Sequence, residues 1–238
     1  MSLPTIYHPT GLETGARINL SGKEAWHALG VRRLSEGDAV RVMDGQGSVA
    51  LATVEQINGP RDATLIIGVT EHIPPLVPGI ILAAAIAKGD RQSTLLDMAT
   101  QLGISAYQPL DCERSVTKMG KHSKERWQRI CLEACKQSGA AWLPDIFEPM
   151  APAKVASASL EQGRTTFFAH PEGEAAGRES STVSAQANLT VLIGPEGGFT
   201  KQEVTEMRSA GAIPISLGQH ILRIETAAIS LLARLRLP

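Results

Sequence analysis

Cysteine is scarce in this chain. The 238 residues contain three, Cys112, Cys131 and Cys135, an odd and sparse set that implies no disulfide framework. Cys131 and Cys135 lie four apart on an expected helix, which would suit a metal, but no further Cys or His completes a ligand set at sensible spacing. Buried small side chains are the better reading, and no metal is expected. Long apolar runs are missing too. None approaches the roughly 20 residues needed to span a bilayer, and the opening Met1-Ser2-Leu3-Pro4 lacks the basic-then-apolar pattern of a signal peptide. No membrane partner and a cytoplasmic location are therefore expected. Nor is there an excess of either charge: 23 Lys and Arg against 24 Asp and Glu give a net charge of −1. That argues against a protein that coats nucleic acid by bulk charge. The composition that remains, 43% hydrophobic and 20% charged, is that of a soluble globular protein.

The length fits one large domain or two modest ones, and the composition breaks once, at Ile73-Pro74-Pro75-Leu76-Val77-Pro78-Gly79. Prolines this dense make a stiff, extended connector, which sets the domains at 1–73 and 80–238 with 74–79 between them. Ahead of the connector the chain reads as strands and tight turns. Ala39–Met43, Ser48–Ile57 and Ala63–Val69 are separated by Asp44-Gly45-Gln46-Gly47 and by Asn58-Gly59. Ser21 and Glu24 have capping-box spacing for a short helix through about Leu29. A small β-barrel is expected. Beyond the connector strands and helices alternate: strands at 80–85, 104–110, 165–169, 189–193 and 213–217, and helices at 93–102, 124–138, 200–210 and 226–236. That alternation means an α/β domain with a mostly parallel sheet covered by helices. Trp127, Ile130, Cys131, Ala134 and Cys135 form an apolar stripe at helical spacing. The last helix is apolar on nearly every side, so burial is expected, in part against a second subunit. Ala151–Gly163 is rich in Ala and Ser but too short to be low-complexity.

Charge is uneven locally. Between Cys112 and Lys136, Arg114, Lys118, Lys121, Lys124, Arg126, Arg129 and Lys136 outnumber Glu113, Glu125 and Glu133. A local basic face can bind phosphates on a neutral protein; charge alone leaves open an ordinary solvated helix face.

Two loops carry the chemistry. The first, Gly194-Pro195-Glu196-Gly197-Gly198, follows the apolar run Leu189–Ile193 and precedes a helix start. There Thr200 and Glu203 have capping-box spacing, and Phe199 and Val204 have staple spacing. Glycines let a backbone approach a ligand closely and expose its N–H groups. No Lys-Ser/Thr pair follows them, so this is not a P-loop, and no Gly-x-Gly-x-x-Gly follows a first strand. The second loop runs from Leu217-Gly218 to Ile221-Leu222-Arg223, with Glu225-Thr226-Ala227 opening the last helix. Arg223 and Glu225 read either as a structural salt bridge or as site groups. Two such loops at strand ends are where an α/β protein builds a ligand site.

These two loops resemble those of the bacterial 16S rRNA uracil-N3 methyltransferase family, of the SPOUT class of knotted S-adenosylmethionine-dependent enzymes. The resemblance extends through Lys88-Gly89-Asp90-Arg91, Leu102-Gly103-Ile104, Pro109-Leu110, Glu113-Arg114-Ser115, Arg126-Trp127, Glu133-Ala134 and Gln137-Ser138-Gly139. In the small domain it covers His27, Val31, Arg33 and Gly37-Asp38. Ala140, Met98, Gln101 and Arg32 depart from the family pattern, outside the cofactor loops.

The resemblance implies a C-terminal SPOUT domain with a deep trefoil knot, a preceding PUA-like or OB-like barrel that helps hold RNA, and a homodimer. It also implies S-adenosyl-L-methionine as methyl donor and 16S rRNA of the small ribosomal subunit as partner. The implied cofactor residues are Ala169, His170 and Pro171; Ile193, Gly194, Pro195, Glu196, Gly197 and Gly198; Leu217, Gly218, Ile221, Leu222, Arg223 and Thr226. Arg32, Arg33, Lys88, Arg91, Arg114 and Lys118 are the implied phosphate contacts. A fixed cation would stabilise charge on the uracil oxygens as N3 loses its proton: Arg223 first, Arg114 of a partner subunit second. Glu196, Glu225, His170, His220 and water remain open as proton acceptor. Rival readings keep the fold and change the acceptor to a ribose 2′-hydroxyl or another base, or leave a non-catalytic RNA-binding factor.

Overall fold

The computed structural model describes residues 3–10, 12–175 and 187–236. Met1 and Ser2, in the stretch read above for a signal peptide, lie outside them. The chain forms two compact units, residues 1–75 with 135–143, and residues 76–134 with 144–238. Among the described residues no helix is long and apolar enough to cross a membrane.

In the first unit, β1 (Thr5–Tyr7), β2 (Arg17–Ser21), β3 (Ala39–Met43), β4 (Ser48–Gly59) and β5 (Asp62–His72) form one sheet in the order β1-β3-β4-β5-β2. All neighbours are antiparallel except β1 and β3. The long β4–β5 hairpin shifts register three times along its length. Such bulges bend and twist strands, and here the strands wrap a core of alternate residues that includes Ile18, Leu20, Val40, Val42, Val54, Leu65 and Ile67. A short helix, α1 (Gly22–Trp26), runs into a single π-type turn at His27–Val31.

The expected capping box is not formed there: Ser21 makes no side-chain cap bond. Ser21 is held in β2 opposite Asp62, and the Glu24 carboxylate goes to the Tyr7 N–H and the Lys136 ammonium. A tertiary ion pair has displaced a local cap.

The turn between β3 and β4 is built by Asp44, whose Oδ1 accepts from the N–H groups of Gln46 at 2.7 Å and Ser48 at 3.0 Å. Gly47, with φ +98, lets Trp142 and His72 close over it: a Cβ there would lie 2.6 Å from the Trp142 ring and 2.7 Å from His72. Trp142 also donates its indole N–H to the Ile73 carbonyl at 2.8 Å.

The described residues of the second unit hold six strands: β6 (Ile80–Ala85), β7 (Ala106–Leu110), β8 (Asp145–Ile146), β9 (Thr165–Ala175), β10 (Leu189–Ile193) and β11 (Ile213–Ser216). Their order is β11-β9-β10-β6-β7-β8, with every pair parallel. β7 and β10 are buried along their whole length, the behaviour of parallel strands covered on both faces. The covering helices are α2 (Asp90–Gln101), α3 (Ser123–Ser138), α4 (Pro152–Glu161), α5 (Lys201–Ser209) and α6 (Ile224–Arg236).

α3 buries Trp127, Cys131, Ala134 and Cys135 as the stripe predicts, with Ile130 half-buried. α6 packs on α2 and β6. It buries Ile224, Ala227, Ala228, Leu231 and Leu232 but leaves Ile229, Ala233 and Leu235 half-buried, so burial is on one face and not all round. Its last turn is fixed by Arg236, which donates to the carbonyls of Pro78, Leu102 and Gly103 at 2.7 to 3.1 Å.

β8 and α4 were not anticipated. α4 opens on Pro152 at its first helical position, where a missing N–H is harmless.

Candidate functional site

Three segments converge at the carboxyl-terminal edge of the parallel sheet, the edge where such folds hold ligands. The first comes from β9. Pro214 of β11 pairs with Phe168, yet the next residue, Ile215, pairs with Glu174. Residues 169–173 therefore leave the ladder and bulge outward. The second is the glycine loop after β10, and the third runs from the end of β11 to α6. Together Ala169–Pro171, Ile193–Phe199, Ser216–Leu222 and Ala227 line a cavity of about 320 Å³, within the usual range of small-molecule sites.

Local chemistry sets the glycine loop. The Gly198 N–H donates to the Pro195 carbonyl at 2.8 Å, which closes the turn, and Gly198 has φ +68, a region that L side chains avoid. At Gly194 a Cβ would lie 3.1 Å from the Phe199 ring. The backbone can pass under that ring only because the side chain is missing. Phe199 in turn packs edge-on against Phe168 at 6.2 Å.

The Thr200–Glu203 capping box is present. Thr200 Oγ1 accepts from the Glu203 N–H at 3.2 Å, and Glu203 Oε2 accepts from the Thr200 N–H at 2.7 Å. The second carboxylate oxygen does something the motif did not foretell: it accepts from the Glu113 N–H at 2.9 Å. Buried Glu203 thus ties the loop after β7 to the glycine loop. Next to Glu113, Arg114 donates to the Gly197 carbonyl at 2.8 Å. On the same loop, Cys112 has its thiol pushed up to about 12, by burial first and by the nearby Glu203 charge second. It is no nucleophile.

The structure separates the predicted site residues. Ala169, His170, Pro171, Ile193 through Gly198, Leu217, Gly218, Ile221 and Leu222 line the cavity; Arg223 and Thr226 do not. Both are exposed at the start of α6, where the Arg223 carbonyl accepts from Ala227 at 2.8 Å. Among the described residues no ion pair joins Arg223 to Glu225, and Glu225 Oε2 is buried without a hydrogen-bond partner. Glu196 lines the cavity and pairs with Arg91 at 3.5 Å. His170 Nδ1 accepts from the Glu172 N–H at 3.3 Å, and His220 lines the cavity.

Of the cations assigned to RNA, Arg91 and Arg114 touch the glycine loop. Lys88 is exposed on the turn before α2, and Lys118 pairs with Asp111 at 2.8 Å. Arg32 and Arg33 are exposed in the first unit, Arg33 with φ +56. The cavity also takes Phe199, Ser216, Gln219 and Ala227; Phe199 was legible as a neighbour of the loop, the others only from the fold. All three cysteines are buried and none is in a disulfide. Among the described residues there is no cluster of three or more His, Cys, Asp or Glu fit to hold a metal.

A family model described as an RNA methyltransferase domain matches residues 75–236, and one described as an RNA methyltransferase PUA domain matches residues 20–68. The ribosomal RNA small subunit methyltransferase E of Synechocystis sp. is 32% identical over 222 residues, 92% of this chain and 73% of that protein. That of Rickettsia conorii is 31% identical, over 100% of this chain and 96% of its own. The chain belongs to the ribosomal RNA small subunit methyltransferase E family. Among solved structures, the member from Neisseria gonorrhoeae, bound to S-adenosyl methionine, is 27% identical. It has a TM-score of 0.86, covering 98% of this chain and 96% of that one. A putative methyltransferase from Legionella pneumophila, in complex with the same cofactor, is also 27% identical with a TM-score of 0.88, covering 99% and 97%. Family membership makes the first unit PUA-like and the second an RNA methyltransferase domain.

Proposed function

We propose that this chain transfers a methyl group from S-adenosyl-L-methionine to N3 of a uridine in 16S rRNA of the small ribosomal subunit. The observation that carries this reading is the single cavity that unites the 169–171 bulge, the glycine loop and the 216–222 loop. Its lining suits the cofactor: exposed backbone at a glycine turn for the edge of an adenine, with Ile193, Leu217 and Leu222 as apolar walls. When bound, S-adenosylmethionine supplies a methyl group on a sulfonium centre.

The chain's own residues orient the partners and manage charge, and positioning contributes much of the rate of such a displacement. Uracil N3 holds its proton at neutral pH, and losing it puts negative charge on O2 and O4. A cation fixed beside those oxygens stabilises that charge as it forms. Neither Arg114 nor Arg223 lines the cavity. Arg114, which donates to the Gly197 carbonyl at the glycine loop, comes first for this role and Arg223 second. Of the two carboxylates only Glu196 lines the cavity; it is the proposed proton acceptor, oriented by Arg91. Glu225 braces the first turn of α6, where a negative charge is favourable.

The target base leaves its stack to reach the cavity, and Lys88, Arg91, Arg114 and Lys118, with Arg32 and Arg33 from the first unit, contact phosphates. Residues 1–73 serve RNA holding, 74–79 connect, and 80–238 carry the transfer. The half-buried Ile229, Ala233 and Leu235 support a homodimer through α6. The return of α6 onto α2 and β6 is in keeping with a trefoil knot. A cytoplasmic site of action follows from the substrate.

The test is transfer of labelled methyl from S-adenosylmethionine to small-subunit RNA by the purified protein. Label in 3-methyluridine supports the reading. Calorimetric binding of the cofactor with no label transferred to naked RNA or to assembled subunits would overturn it.

A further inference from the structure

The second unit contains another cavity, of about 480 Å³. Arg164 and Ser105 reach it from just ahead of β9 and β7, and it shares no lining residue with the cofactor cavity. α4 covers it with Val155, Ala158 and Ser159.

Its polar groups are only partly engaged. Gln108, on β7, is 5% exposed. Its Nε2 donates to the carbonyls of Pro109 at 3.0 Å and Glu148 at 2.6 Å, while Oε1 has no partner among the described residues. That oxygen is left to accept from a group that enters the cavity. Arg164 donates through Nη1 to the carbonyls of Gly79 and Leu189, both at 3.2 Å. Among the described residues its guanidinium has no carboxylate partner, and Nε and Nη2 keep their protons to give.

The rim is apolar and held open. Phe147 is 39% exposed and Met150 36%. Their backbone N–H groups are fixed to the carbonyls of Tyr107 at 3.0 Å and Pro109 at 3.1 Å, so these side chains are presented to solvent from a rigid edge. A lipid or other purely apolar ligand would leave Gln108 and Arg164 unanswered. A bare phosphate would leave Phe147 uncovered and meet Asp145, which also lines the cavity. A flat ring with donors and acceptors on its edge answers both: aromatic side chains stack bases, and amide and guanidinium groups read base edges.

We propose that this cavity receives an unpaired nucleobase of the substrate RNA, stacked on Phe147 with its hydrogen-bonding edge toward Gln108 and Arg164. It rests on the reading of the chain as an RNA methyltransferase and adds a second base-binding point to it. The test uses the full-length protein saturated with S-adenosylmethionine and follows the methyl signals of Ala106, Met150 and Ala158 by NMR. The four nucleoside 5′-monophosphates and a single-stranded stretch of small-subunit RNA are added separately. The RNA should move these signals, with at least one monophosphate moving them more weakly. Phe147→Ala, and Ala158→Phe, which fills the cavity, should each weaken RNA binding about tenfold and leave cofactor affinity unchanged. Still signals, response to free nucleotides alone, or normal RNA affinity in both variants would overturn the proposal. Methyl transfer measured on the same samples separates the two readings: a lost second site leaves transfer detectable, whereas failure of the function itself removes it in the unaltered protein.

Discussion

Glu203 bridges two loops with one carboxylate, and its removal has a calculable consequence. Glu203→Ala deletes the acceptor for the Thr200 N–H at 2.7 Å and for the Glu113 N–H at 2.9 Å, in a side chain only 9% exposed. A buried N–H left without a partner costs about 1–3 kcal/mol. The Thr200 N–H is buried and the Glu113 N–H part-buried, while the Thr200 Oγ1 cap on the Glu203 backbone N–H is kept, so the total is about 3 kcal/mol. Glu203→Gln keeps one good acceptor and should cost about half as much. Urea unfolding of the two variants reads these differences directly. Because Glu203 sets the loop that brings Arg114 to Gly197, cofactor affinity should fall in the same order, Ala below Gln below the unaltered protein, in calorimetry under native conditions. A loss of stability under about 1 kcal/mol in Glu203→Ala, or an unchanged affinity in that variant, would refute the bridge.

The remaining predictions are more local. Arg114→Ala, at an exposed residue, should change stability by less than about 0.5 kcal/mol yet lower methyl transfer at least about tenfold, with Arg114→Lys intermediate; a fully active Arg114→Ala would remove it from the mechanism. Glu196→Gln should lower turnover while cofactor binding stays measurable by calorimetry. Gly47→Ala forces a Cβ into the Trp142 and His72 rings at a positive φ, and overpacking with backbone strain should cost about 3 kcal/mol in urea unfolding. Cys112, with its pKa near 12, keeps only about one thiolate in ten thousand at pH 8. With all three thiols buried, a maleimide should label the native protein slowly and the urea-unfolded protein at all three.

Much of the fold was legible because parallel strands announce themselves as apolar runs. Ile80–Ala85 and Leu189–Ile193 begin and end where the residue pattern placed them. β8 was not, since two residues of strand carry no period. α4 was missed because its small Ala and Ser side chains make a faint stripe; Pro152 at its start was the available signal. The Ser21–Glu24 spacing misled because a local motif competes with tertiary partners, and Lys136, far away in sequence, won the carboxylate. At the site, the glycine turn and the Thr200 cap could be read from neighbouring residues. The Glu203–Glu113 and Arg114–Gly197 contacts could not, because they join segments some 80 to 90 residues apart. Arg223 and Thr226 came from the resemblance; both are exposed and neither lines the cavity.

The central claim is that this chain places a methyl group on N3 of a small-subunit uridine. Nucleoside mass spectrometry of 16S rRNA from cells lacking the protein tests it most directly. The account predicts loss of 3-methyluridine, restored by supplying the unaltered chain and not by the Arg114→Ala variant. Undiminished 3-methyluridine in those cells, or loss of a 2′-O-methylated nucleoside in its place, would contradict it.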